Sequence, residues 1–235
     1  MTAENSYQLE VELLSETIFN SGEKARNLAQ IKALSDRHGF VYFHAKTLKG
    51  QLKRQAFWLL DIYQSMDESK AREFLQSIAA LLGISCWEVE HYPEPLKRSV
   101  SDGPGIMKLS HLELDEQIRN EFIAGQESEK DKEYFQLSPH DLLPAQTCLR
   151  TGLQLEQGTA KEKRLLTYQT VKEGLVFYSQ LTFDTDPRPY LGDLQRIVRS
   201  FRRIGANIHR GRGEIQARLL IDGEEANWDK SINSR

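Results

Sequence analysis

Residues 7–14, YQLEVELL, set Tyr7, Leu9, Val11 and Leu13 against Gln8, Glu10 and Glu12 in strict alternation, which predicts a half-buried strand with a wet outer face. Residues 15–38 keep neither period, although RNLAQIKAL suits a short helix. After Gly39, Phe40 to Phe43 reads as a second short strand, running through the turn His44-Ala45-Lys46 into a helix from Thr47 to about Tyr63. Thr47 is its expected cap, and Leu48, Leu52, Ala56, Leu59 and Tyr63 recur every three or four residues. Asp67 and Ser69 open a second helix, whose stripe Phe74, Leu75, Ile78, Ala79 and Leu82 stops at Gly83.

The pattern then breaks. Residues 85–145 hold five of the seven prolines, the segment SDGPG and no sustained period, so they read as an insertion of loops and short elements. Order returns at Thr147, where TCLRTGLQL, LLTYQTV and GLVFYSQLTF read as three strands, the last two joined at Lys172-Glu173-Gly174. A helix over 190–204 follows, with Leu191, Leu194, Ile197, Val198, Phe201 and Ile204 on one side and arginines on the other. Gly205 to Gly213 is a glycine- and arginine-rich loop, EIQARLLI (214–221) a closing strand, and 223–235 a polar tail. This succession predicts an α+β fold of ferredoxin-like, RNA-recognition-motif-like type, an antiparallel sheet backed by helices. Residues 1–84 and 146–222 would form the core, with 85–145 inserted.

At 235 residues the chain can bury a sizeable core, and 39% hydrophobic against 28% charged residues is ordinary for a globular protein. There is no apolar run of spanning length and no basic-then-apolar leader, so neither a membrane nor a secretory route is expected. Two distant cysteines, Cys86 and Cys148, suggest neither a disulfide scaffold nor a zinc module, which points to a reducing cytoplasm. Walker loops, metal-ligand spacings and paired-carboxylate motifs are missing, so no cofactor, metal or catalytic residue is assigned.

The net charge of −3 hides a segregation. Seven arginines lie between Arg196 and Arg218 against the single acid Glu214, whereas eight acids fall between Glu113 and Glu133. Two segments carry the candidate chemistry. In IGANIHRGRGEIQARL (204–219), Gly211 and Gly213 leave backbone amides uncovered beside Arg203, His209, Arg210 and Arg212, donors suited to phosphate. In HAKTLKGQLKRQ (44–55), Lys46, Thr47, Lys49 and Gly50 stand at a helix start that favours an anion, with Lys53 and Arg54 a turn further on. The plainer alternatives are a capped turn and a solvated basic helix face. Tyr42, Phe43, Phe57, Trp58, Phe177, Tyr178 and Phe183 are candidates for stacking bases wherever they face outward.

FVYFHAKTLKGQLKRQ is similar to a strand, small-residue turn and "Ser-Ser-Leu-Lys-Gly-x-Leu-Arg" segment of the CRISPR-associated RAMP superfamily. RTGLQLEQGTAKEKRLLTYQTVKEGLVFYSQL resembles its middle pattern, IGANIHRGRGEIQARL its C-terminal glycine-rich loop, and LEVELLSETIFNSGE its first strand and turn. The four matches keep family order over roughly 100 residues. The resemblance implies an RNA-binding, antiviral ribonucleoprotein subunit like the backbone subunits of type III effectors. Its partners would be the CRISPR guide RNA, complementary target RNA and other effector subunits. Lys46, Lys49, Lys53 and Arg54 would hold guide phosphates with the glycine loop near the same track, and 85–145 would take the place of a thumb or lid.

Two departures stand out. The stretch matching the catalytic aspartate of cleaving subunits, Asn27-Leu28-Ala29-Gln30, has no carboxylate, only Glu23 and Asp36 flanking it, so no cleavage site is expected. The usual Pro-Gly-Ser-Ser turn is replaced by His44-Ala45-Lys46-Thr47. Two alternatives stay open: a metal-independent repeat-processing endoribonuclease using His38 or His44 with Lys49, and an assembly module that binds no RNA.

Overall fold

The computed structural model describes residues 5–22, 31–127, 138–156, 159–208 and 211–226. The alternation of residues 7–14 becomes β1 (Tyr7–Leu13), with Leu9, Val11 and Leu13 buried. Its neighbours are β8 (Val176–Phe183) and β9 (Ile215–Ile221), both antiparallel. Three short strands complete the sheet: β4 (Met107–Leu109), β5 (Glu113–Leu114) and β10 (Glu224–Glu225). Among the described residues the principal sheet thus has six strands, in the order β10-β9-β1-β8-β4 with β5 also on β8.

One face of this sheet carries the helices. α1 (Ala45–Met66) buries Leu48, Leu52, Ala56 and Leu60, each large side chain contributing about 1.5–3 kcal/mol by leaving water. Asp67 ends α1, its N–H reaching the Tyr63 carbonyl, and starts α2 (Glu68–Leu82), its carboxylate accepting from the Ser69 and Lys70 amides. α6 (Leu191–Ser200) lays Leu194, Ile197 and Val198 into the same core. An antiparallel sheet with helices on one face is the ferredoxin-like, RNA-recognition-motif-like α+β fold expected from the sequence.

Several elements differ from expectation. α1 begins at Ala45 with His44, not Thr47, as its cap. The helix expected over 190–204 stops at Ser200, because Ile204 and Ile215 donate to the Gly213 and Arg202 carbonyls and hold 202–204 extended. Phe40 to Phe43 forms bridges, Val41 to Ser35 and Phe43 to Leu112, in place of a strand. The short helix expected over RNLAQIKAL lies partly outside the described residues, and Ile31 and Ala33 sit in bridges to Tyr168 and Asn20.

The stretch expected as an insertion supplies β4 and β5, which complete the sheet beside β8. It also holds β2 (Gly83–Ile84, at its border), a 3₁₀ turn over Cys86–Val89, α3 (Glu94–Lys97), β3 (Gly103–Pro104), α4 (Glu116–Glu127) and, running to its end, α5 (Pro139–Gln146). What stands apart is the hairpin of β6 (Thr147–Glu156) and β7 (Thr159–Val171), a two-stranded sheet of its own. It docks through the Thr17–Val171 and Ile31–Tyr168 bridges. No helix among the described residues is long and apolar enough to cross a membrane.

Candidate nucleic-acid interface

The first turn of α1 is already occupied. The Nδ1 of His44 accepts from the Lys46 amide at 3.2 Å, and the Nδ1 of His111 accepts from the Ala45 amide at 3.1 Å. The two rings lie 4.7 Å apart, with Tyr42 5.1 Å from His111. Two of the amides expected to face an anion therefore already have protein partners.

The cations of α1 divide by what holds them. Lys49 donates to the Met107 carbonyl at 2.7 Å, and burial, helped by the Lys53 ammonium, holds it below the usual lysine range. Lys53 is paired with Glu88 at 2.6 Å, both largely enclosed. Lys46, Thr47, Gly50 and Arg54 are exposed, and the side chains of Lys46 and Arg54 make no ion pair or hydrogen bond among the described residues.

The glycine loop leaves the end of α6 and doubles back to β9. Gly205 has φ +90°, and a Cβ there would lie 2.5 Å from Thr17 Oγ1 and 2.8 Å from the Ile18 carbonyl. Gly213 has φ +73°, with the Ile204 carbonyl 2.1 Å from where its Cβ would be. Both glycines are close-approach positions that a side chain would disrupt. Thr17 Oγ1 donates to the Ile204 carbonyl, and the Ala206 amide to the Ile18 carbonyl. The opposite side of Gly205 is held by Gln51 of α1, whose amide donates to the Gly205 carbonyl and accepts from the Gly205 amide, both at 3.2 Å.

This clamp brings the two sequence-predicted segments together. Thr47 and Arg54 stand four residues before and three after Gln51, on the same side of the helix. On the loop side Arg202 is exposed with no side-chain partner among the described residues, while Arg203 donates to the Ile208 carbonyl. Gly211 is exposed at φ +75° with open space around it. Arg212 lies over the Tyr168 ring at 4.6 Å, next to Glu16, which Arg150 grips through two nitrogens. The Arg150 hydrogen bonds, with Thr170 adding another, pull the Glu16 carboxyl below its ordinary value. His209 and Arg210 lie outside the described residues.

The remaining candidates resolve by burial. Phe43 and Phe177 are core residues, whereas Trp58 is 54% exposed, one turn beyond Arg54. The face of β1 away from the helices carries Glu10 and Glu12 around Arg218, and burial with the Glu10 charge holds the Tyr178 phenol above its ordinary range, a network unlike an aromatic stacking platform. The Asp36 carboxylate accepts from the His38 and Phe40 amides and pairs with Arg119 at 3.0 Å, while Glu23 lies outside the described residues. His44 turns its Nδ1, and Lys49 its Nζ, to a backbone partner, the geometry of a cap and a tie. Among the described residues no group of His, Cys, Asp and Glu is placed to hold a metal ion.

Sequence reasoning missed Gln51 and His111, and counted Arg202 only within the arginine run from Arg196 to Arg218. The roles of Gln51 and His111 rest on pairings with partners 154 and 66 residues away, which no local pattern encodes.

No family model matches the sequence, and no curated protein matches it. Solved structures do. A chain of a type III-B Cmr-beta structure bound to cognate target RNA is 11% identical, with a TM-score of 0.58 over 92% of this chain and 97% of that one. The apo state of type III-B Cmr-beta gives 10% and 0.57 over the same shares. The fold is one found in CRISPR complexes. A chain of a type IV-B CRISPR complex adds a further match, 11% identical with a TM-score of 0.51 over 98% of this chain and all of the other. At such identities the fold is what is shared, and it agrees with the RAMP resemblance carried by the motifs.

Proposed function

We propose that this chain is a guide-RNA-binding subunit of a multi-subunit CRISPR effector of the type III kind, acting by binding rather than by its own cleavage. The observation that carries the reading is the junction at Gln51 and Gly205, where Arg54 and Arg202 lie on the two joined elements without acidic partners among the described residues. Such cations attract a phosphate chain, and exposed Trp58 offers a face for a base. The RNA named with the type III-B Cmr-beta match supports the same assignment. Partners under this reading are the guide RNA, its complementary target and neighbouring subunits, in the cytoplasm.

The test is to purify the protein with its partners from its host, extract the bound RNA and sequence it. Short RNAs carrying CRISPR repeat and spacer sequence are expected, together with several partner proteins. An intact assembly without RNA would overturn the reading in favour of a protein–protein module, and repeat-bearing RNA without partners would favour a processing enzyme.

A further inference from the structure

Gln51 is uncharged, yet it sits where the two candidate surfaces meet, and its amide satisfies both backbone groups of one residue, the N–H and C=O of Gly205. Gly205 is pressed from the other side by Thr17 and Ile18, so the start of the loop is fixed between β1's exit and α1. Arg202 lies three residues before this point and Arg54 three residues after Gln51. Ile215 and Gly213 keep 202–204 extended on the loop side, so releasing the clamp would leave every charge in place and remove only the tie that fixes the cation on the loop relative to the cation on the helix.

We propose that Gln51 is a positioning residue for RNA binding, holding Arg202 and Arg54 at a fixed separation so that one single-stranded RNA engages both. The proposal rests on the RNA-binding reading above. It carries a signature that a purely structural role lacks: the contribution of Arg202 should exist only while the clamp is intact.

The experiment is a double-mutant cycle on the full-length chain, read as fluorescence anisotropy with a mixed-sequence single-stranded RNA at low salt. Arg202→Ala alone should weaken binding about fivefold and Gln51→Ala about tenfold, whereas adding Arg202→Ala to Gln51→Ala should change nothing further. Gln51→Glu keeps the side-chain length but cannot donate to the Gly205 carbonyl, so it should behave like Gln51→Ala and serves if that variant unfolds. Losses that multiply, or Gln51 variants that bind like wild type while Arg202→Ala is weakened, would overturn the proposal. Absence of RNA binding by the wild-type chain would instead remove the RNA-binding reading itself, and binding that neither Arg54→Ala nor Arg202→Ala weakens would overturn the placement of the site at this junction.

Discussion

The two flanks of α1 both carry basic residues in the sequence and behave differently in the structure. On one, Lys49 is tied to the Met107 carbonyl and Lys53 to Glu88, so their charge fastens β4 and the 3₁₀ turn to the helix. On the other, Thr47 and Arg54 are exposed beside Gln51, which locks the helix to the glycine loop. A lysine count therefore overstates what a phosphate can reach. What matters is which cations stay exposed and untied, and half of the lysine–arginine cluster, Lys49 and Lys53, does not.

The largest expected effect comes from breaking the joint beside the exposed flank. Gly205→Ala forces a side chain into a left-handed position already filled by Thr17 Oγ1 and the Ile18 carbonyl, and should cost about 2–4 kcal/mol in denaturant unfolding. Next, Arg54→Ala should weaken single-stranded RNA about tenfold at low salt and lower the magnitude of the salt slope by about 0.7, while Lys49→Ala leaves RNA affinity near wild type. Equal losses at Arg54 and Lys49 would erase the distinction between the flanks. On the tied flank, Lys53→Ala strands Glu88 in a largely enclosed site and should cost about 1–2 kcal/mol of stability with little change in RNA binding.

The smallest effect is one of pH. The Glu16 carboxyl is held below its ordinary value of 4.5 chiefly by Arg150. A depressed folded-state value means the stabilisation is full above about 4.5 and is lost as pH falls from there through the folded-state value. Melting temperatures between about pH 6 and 3 should therefore fall less steeply for Arg150→Ala than for wild type, because that variant has already lost the interaction.

Local chemistry made part of this legible in advance. Asp67 as a cap and Gly83 as a stop bound α2 correctly, because capping is settled within a few residues. The alternation of Leu9, Val11 and Leu13 likewise marked the buried face of β1. The edge strands β4 and β5 escaped notice because strands of three and two residues carry no period. The helix over 190–204 was overextended because Phe201 and Ile204 are as apolar in an extended pairing as in a helix. Within the site, Arg54 was visible as charge, but the partners that take Lys49 and Lys53 out of play are a carbonyl 58 residues away and a carboxylate 35 away.

The most direct test of the central claim is the affinity of the full-length chain for single-stranded RNA at about 50 and 200 mM salt. With about four phosphates held, the slope for a single strand is about −2.8, and affinity should fall roughly 50-fold across that range. An affinity that does not change with salt would contradict the account, because the exposed flank of α1 and the glycine loop would then not be holding phosphates.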